Sequence, residues 1–201
     1  MKRAILLSGG VDSIALSYWL RPELAFTIDY GQLPYRGELR AAEQIAKTLD
    51  MQHELLKVDC RAIGSGDLSG KAPDPHAPAS EWWPYRNQLL LTLCAAKAIT
   101  LGVTEILIGT VASDGFHKDG TPQFIQLVND LIAYQEGNLR VSAPAIAMTS
   151  AELVRHAHIP EELLLWAHSC HKADYACGNC RGCNKYRNVI HELYGNLGPT
   201  S

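Results

Sequence analysis

Two clusters of residues in this 201-residue chain have types and spacings suited to chemistry. The first is Ser8-Gly9-Gly10-Val11-Asp12-Ser13, set where the apolar run Ile5-Leu6-Leu7 ends and an apolar helical pattern begins. A strand that passes through glycines into a helix aims free backbone N–H groups and a positive dipole end at one spot, which suits a phosphate. Glycine lets the backbone approach closely, and the hydroxyls of Ser8 and Ser13 can donate further hydrogen bonds. No G-x-x-x-x-G-K-[ST] string is present, so this is not a Walker A loop. The second cluster is Cys170, Cys177, Cys180 and Cys183, spaced C-x6-C-x2-C-x2-C, with Gly178 and Gly182 allowing tight turns. Four soft thiolates at this spacing suit a closed, tetrahedral, structural Zn²⁺ site. An iron–sulfur cluster is the competing use, and His168 or His171 is near enough to replace one thiolate. Cys60 and Cys94 are isolated and read as buried thiols.

The elements that must position these clusters alternate in type. Val11 to Leu20 reads as a helix closed by Arg21-Pro22. Leu24 to Ile28 reads as a buried strand running into Asp29-Tyr30-Gly31-Gln32. Residues 37–49 follow with apolar positions at helical spacing, then a strand over 53–58. Later come a helix over 88–101, a strand over 105–109, a helix over 122–134, a short strand over 140–143, and short helices over 149–156 and 160–166. This alternation predicts an α/β fold with a parallel, Rossmann-like sheet. In such sheets ligands sit at the carboxyl ends of strands, where Ser8-Gly9-Gly10, Tyr30-Gly31-Gln32 and Gly109 all fall. Residues 1–166 are expected to form the nucleotide-binding α/β domain, and 167–201 a small cysteine module with a closing helix. Residues 61–81, rich in glycine and proline without periodicity, are expected to be a mobile lid or an interface segment.

Composition bounds the function. Hydrophobic residues make up 47% and charged residues 19%, as in an ordinary globular protein. A net charge of −3 gives no basic field for nucleic acid. The apolar runs are too short to span a bilayer, and the start reads as a strand rather than a signal peptide. A cysteine cluster without a secretion signal predicts a reducing, cytoplasmic setting.

The spacing S-G-G-x-D-S resembles the PP-loop of enzymes that split ATP into AMP and pyrophosphate. In combination with later elements, the chain resembles the QueC family of 7-cyano-7-deazaguanine (preQ0) synthases. The matching residues are Ser8 to Ser13; Tyr30-Gly31-Gln32 with Glu38-Leu39 and Ala42; Pro84-Tyr85-Arg86-Asn87; Asp119 with Pro122 and Phe124; and Ser169-Cys170 leading to Cys177-Gly178-Asn179-Cys180-Arg181-Gly182-Cys183 and Arg187. The likeness runs from Ala4 to about Leu193.

What the resemblance implies is ATP-driven conversion of 7-carboxy-7-deazaguanine, with ammonia, to amide and then nitrile. Ser8, Gly9, Gly10, Val11, Asp12, Ser13, Tyr30, Gly31, Gln32 and Gly109 would hold ATP, with Mg²⁺ on its phosphates. Ser8, Asp12, Ser13 and Arg86 would act in catalysis, and Arg86, Asn87, Asp114, Phe116 and Asp119 would bind substrate. Trp82 and Trp83 are further stacking candidates. A homodimer is the family expectation. The chain departs from the family in three places. Leu33-Pro34 follows Tyr-Gly-Gln where a basic residue and His are usual. His117-Lys118-Asp119-Gly120-Thr121 replaces Tyr-Pro-Asp-Cys-Arg. Thr149-Ser150 stands where the pattern has Thr-Lys, losing a cation. The alternatives are a diverged member that stops at the amide or couples the activated deazaguanine to a protein amine in antiviral defence, and a tRNA-modifying PP-loop enzyme.

Overall fold

Five short apolar strands form one parallel sheet in the order β3-β2-β1-β4-β5 in the computed structural model, which describes residues 1–195. They are β1 (Arg3–Leu6), β2 (Leu24–Asp29), β3 (Gln52–Lys57), β4 (Glu105–Ile108) and β5 (Arg140–Ser142). The helices are α1 (Val11–Leu20), α2 (Tyr35–Thr48), α3 (Gly66–Ser69), α4 (Arg86–Thr100), α5 (Pro122–Ala133), α6 (Ser150–Ala157), α7 (Glu161–Leu164) and α8 (Arg181–Tyr194). The expected α/β architecture is therefore present.

The apolar runs of the strands are continuous because both faces of the sheet are covered. In β1, Ala4 and Leu6 point into a core with Leu24, Phe26, Leu91, Ile125 and Val128, under α4 and α5. Ile5 and Leu7 point the other way, onto Ile14, Leu16, Ile45 and Leu153 of α1, α2 and α6. The two-residue period of a strand makes this division automatic.

Strand order decides where a ligand can bind. The chain steps outward from β1 to β2 and β3, then returns to the other side of β1 as β4, with Leu6 paired to Ile108. The crevice beyond the ends of β1 and β4 is a topological switch point. Ser8 leaves β1 into it and Gly109 leaves β4. A Cβ at Gly109 would lie 3.0 Å from the backbone N and Cα of Ser13, so only glycine lets β4 end this close to α1.

Residues 61–81, expected to be a mobile lid or an interface segment, are anchored at Ser65, Leu68 and Glu81 and exposed over most of their remaining length. Arg61–Ile63 forms a 3-10 turn and α3 follows. Leu68 is buried, and its carbonyl accepts from Leu33 N at 2.8 Å. Asp67 N donates to Ser80 O at 2.7 Å, and Asp74 N to Ser65 Oγ at 2.9 Å. Beyond them Trp83 is buried with its ring edge-on to Tyr30, centroids 4.9 Å apart. Single anchors at irregular spacing hold the segment, which is why no period appears in its sequence. The segment 167–195 docks on the same unit, with Val189 of α8 in the core; residues 196–201 of the expected C-terminal module lie outside the described residues.

Trp83→Ala is expected to destabilise the fold by about 3–5 kcal/mol, the usual cost of emptying a buried aromatic site. Denaturant unfolding checks this; a loss below about 1 kcal/mol would support the mobile-lid reading.

Candidate active site

The loop after β1 is shaped by its own hydroxyls and by α2. Ser13 Oγ donates to Gly10 O at 2.9 Å and lies 3.3 Å from Ser8 Oγ. Gly9 has φ +75°, and a Cβ on it would lie 2.6 Å from the Glu38 carbonyl oxygen. Gly10 caps α1 without a side-chain hydrogen bond, so the N–H groups of the first turn face the cleft. This cleft, about 270 Å³, is bordered by Ser8, Gly10, Val11, Asp12 and Ser13 on one side and by Thr27, Tyr30, Glu38 and Arg86 on the other.

A second chamber of about 440 Å³ adjoins it, and Arg86, Asp114, His117, His171 and Lys185 border both. Charges of both signs interleave at this junction. Lys185 Nζ lies 2.8 Å from Asp12 Oδ2 and 2.9 Å from Asp114 Oδ1. Burial pushes the Asp12 carboxyl up against the opposing pull of Lys185. Burial works against the Arg86 charge, but Tyr30, Asp119, Glu38 and Asp114 outweigh it and hold the guanidinium cationic. Burial, with Arg86 nearby, lowers His171 to about 4, so it is neutral. Glu81, buried, accepts from Arg181 at 2.7 Å and sits 3.1 Å from His117 Nε2. The departure at His117 is thus tied into an ion-pair network that closes the chamber.

Several expected site residues spend hydrogen bonds on the chain around the cleft. Gln32 is buried with its side chain fully engaged: Nε2 donates to Ile28 O and Glu38 Oε2, and Oε1 accepts from Tyr30 N. Gly31, at φ +94°, turns the chain and does not border the cleft. Asn87 and Asp119 do border it while bonding each other, Asn87 Nδ2 to Asp119 O at 2.9 Å and Asn87 N to Asp119 Oδ2 at 3.3 Å. Phe116 is a correction: it is 57% exposed, borders neither chamber and lies against the Arg181 guanidinium, 4.3 Å from its ring centre. Arg86, expected to act in catalysis and bind substrate, stands at the start of α4 and borders both chambers.

Among the cleft residues that the sequence reading did not assign to the site are two charged ones, Glu38 and Lys185. Glu38 stands in the Tyr-Gly-Gln neighbourhood but carried no role; burial raises it to about 7 despite the Gln32 hydrogen bond and the Arg86 charge. Lys185 lies between two cysteine-module positions and gave no local signal. Its role is visible only from the packing of α8 against α1.

The four cysteines gather with their Sγ atoms all within 4.8 Å of one another, and Cys177 and Cys183 are 3.9 Å apart. A tetrahedral Zn²⁺ with Zn–S near 2.3 Å sets S···S distances of about 3.8 Å, so the donor set fits that ion. No histidine joins the cluster: His168 Nε2 faces Ala173 O at 3.0 Å, and His171 borders the cleft. The Asn179 backbone N–H lowers the Cys177 thiol to about 6. Burial pushes Cys183 up, an opposition that a bound cation would remove. Cys60 and Cys94 are buried and free, as expected.

Residues 2–193 match the family model described as "Queuosine biosynthesis protein QueC". A 7-cyano-7-deazaguanine synthase of Desulforudis audaxviator is 32% identical, over 92% of this chain and 94% of that protein. A 7-cyano-7-deazaguanine synthase 1 of Desulfitobacterium hafniense is 29% identical, over 96% of this chain and 94% of that protein. Among solved structures, the U34-tRNA thiolase NcsA from Methanococcus maripaludis with its [4Fe-4S] cluster superposes with a TM-score of 0.55. That pair shares 15% identity over 98% of this chain and 66% of the thiolase, a likeness of fold.

Two measurements follow from this geometry. Cys180→Ser is expected to remove the metal and much of the stability, because a structural zinc site supplies folding energy. Elemental analysis and thermal unfolding check this, and a metal-free variant melting with the wild type would contradict it. Glu38 is expected to hold more protons folded than unfolded between pH 4.5 and about 7. Stability should therefore fall as pH rises through that window. Glu38→Gln should gain about 2 kcal/mol above pH 7.5 and little at pH 4.5, a figure discounted for water in the cleft. Thermal unfolding at both pH values reads the difference.

Proposed function

The chain belongs to the QueC family, and on that premise we propose that it converts 7-carboxy-7-deazaguanine to the 7-cyano compound at the expense of ATP. A carboxylate is a poor electrophile until one of its oxygens becomes a leaving group. In the first step a carboxylate oxygen attacks the α-phosphorus of ATP, and pyrophosphate leaves. Ammonia then attacks the acyl carbon, AMP departs with that oxygen, and a proton is lost to give the amide. In a second round the amide oxygen attacks the α-phosphorus of another ATP, and a second pyrophosphate leaves. Loss of AMP and two N–H protons gives the nitrile.

The observation that carries this reading is the adjoining pair of chambers. The phosphate loop faces one, and a wall bearing Arg86 and Lys185 is common to both. Two reactants held on either side of that wall meet at the carboxylate and the α-phosphorus, and proximity of this kind supplies much of a two-substrate rate enhancement. The N–H groups at the start of α1, with Ser8 and Ser13, would hold the phosphates. Thr27, Leu6 and Tyr30 would border the nucleoside. Arg86 would pair with the substrate carboxylate, and Asp114 and Asp119 would accept from the N–H groups of the deazaguanine. Asp12 Oδ1 is buried without a hydrogen-bond partner, an acceptor that fits Mg²⁺. When bound there, Mg²⁺ supplies charge neutralisation on the phosphates. Zn²⁺ on the four cysteines would be structural, since a closed four-thiolate set leaves no open position.

The test is a mass-spectrometric product assay with ATP, Mg²⁺ and 7-carboxy-7-deazaguanine, with and without ammonium. Nitrile with two AMP per turnover is the expected outcome. Amide alone, or adenylate without onward product, would point to a member that stops early or awaits another amine. No ATP consumption would overturn the substrate assignment.

A further inference from the structure

Lys185 lies on α8, half-buried, and its ammonium bridges the two sides of the switch point. Asp12 comes from the loop after β1 and Asp114 from the segment after β4, and Nζ reaches both within 2.9 Å. Beside this bridge are two buried polar atoms without hydrogen-bond partners, Asp12 Oδ1 and Ser150 Oγ. Ser150 is buried at the start of α6, next to Asp12. Buried groups of this kind are unfavourable unless something fills their bonding capacity, and here they border a cleft suited to a phosphorylated ligand. Ser150 brings only a hydroxyl towards Asp12 from α6, while an ammonium reaches the same carboxylate from α8.

Resting on the ATP-activation reading, the geometry points to Lys185 as a phosphate-binding catalytic cation that α8 supplies beside the phosphate loop. Departing pyrophosphate gathers negative charge beside the loop. The start of α1 and two serine hydroxyls offset part of it. Left unpaired, Asp12 and Asp114 would repel the phosphates. Lysine meets both needs, because its compact ammonium on a flexible stem can pair with the carboxylates and turn to phosphate oxygens by rotation about its side-chain bonds. Arg86 is not paired with Asp12, so it does not duplicate this role.

A pin that merely docks α8 would predict a change in melting temperature without a change in phosphate affinity. The experiment therefore measures inorganic pyrophosphate and ATP binding by calorimetry on the zinc-loaded full chain, with zinc content and thermal unfolding recorded alongside. Lys185→Met is expected to weaken pyrophosphate binding by about 10- to 100-fold, the range of one charge-assisted contact. Ser150→Lys combined with Lys185→Met should recover most of that loss. If Lys185→Met does not fold, Lys185→Gln, which keeps a donor beside the two carboxylates, takes its place and should still bind more weakly. A folded, zinc-loaded variant binding pyrophosphate like the wild type overturns the inference, as does a folded double variant with no recovery. Wild-type protein that binds neither pyrophosphate nor ATP overturns both this inference and the ATP reading. Binding that depends on Lys185, with no ATP consumed on 7-carboxy-7-deazaguanine, supports the inference and removes only the substrate assignment.

Discussion

Four cysteine sulfurs stand within 4.8 Å of one another, an arrangement that as thiolates would need a cation between them, and much of the cleft depends on it. Cys180 is the N-cap of α8, its Sγ accepting from Cys183 N at 3.4 Å, so the same cluster that would hold metal starts the helix. Once α8 starts there, Arg181, Gly182 and Lys185 of its first turns are fixed against the cleft. The module is also tied to the phosphate loop itself. His168 N donates to Gly9 O at 2.8 Å, Arg36 N donates to Asp174 Oδ1 at 3.0 Å, and Arg40 bonds the Asp174 carbonyl. The cysteine knuckle is thus a clamp between the first loop of the chain and its last helix.

The cleft concentrates charge that the chain as a whole does not show. A net −3 says nothing of Arg86, Lys185 and Arg181 alternating with Asp12, Asp114, Glu38 and Glu81 over a few ångströms. Half-buried pairs of this sort interact more strongly than surface pairs, because less water screens them. Positioned cations and carboxylates need little reorganisation when a phosphate leaves, which is the main route by which such sites lower a barrier.

The wall formed by residues 61–83 completes this arrangement. Glu81, buried, pairs with Arg181 of α8 and faces His117 beyond β4, so three distant segments meet at one carboxylate. Lys172 adds a second tie, 3.4 Å from Asp67 at the start of α3. Segments that lack regular structure are here held by buried charge and by Trp83 on Tyr30 rather than by a helix or strand.

The sequence alone determined the periodic features and the local motifs. Strand and helix alternation, the parallel sheet, the phosphate loop and the four-cysteine set were legible because each is written in nearby residues: short continuous apolar runs, apolar faces of period 3.6, glycines before a helix, and cysteines three positions apart. Element ends shifted by a few residues, as at α2, which starts at Tyr35 directly after Pro34, and at α7, shortened to Glu161–Leu164. Tertiary structure decided what depends on contacts between segments far apart in the chain. Gln32 sits in a recognisable motif and Phe116 was a substrate candidate, yet one bonds within its own loop and the other stacks on Arg181 outside the chambers. Lys185 carries no local signal, and only the docking of α8 brings it to Asp12, 173 positions earlier. Local sequence specifies backbone geometry. Which charges meet is set by how the elements pack, and that information is spread over the whole chain.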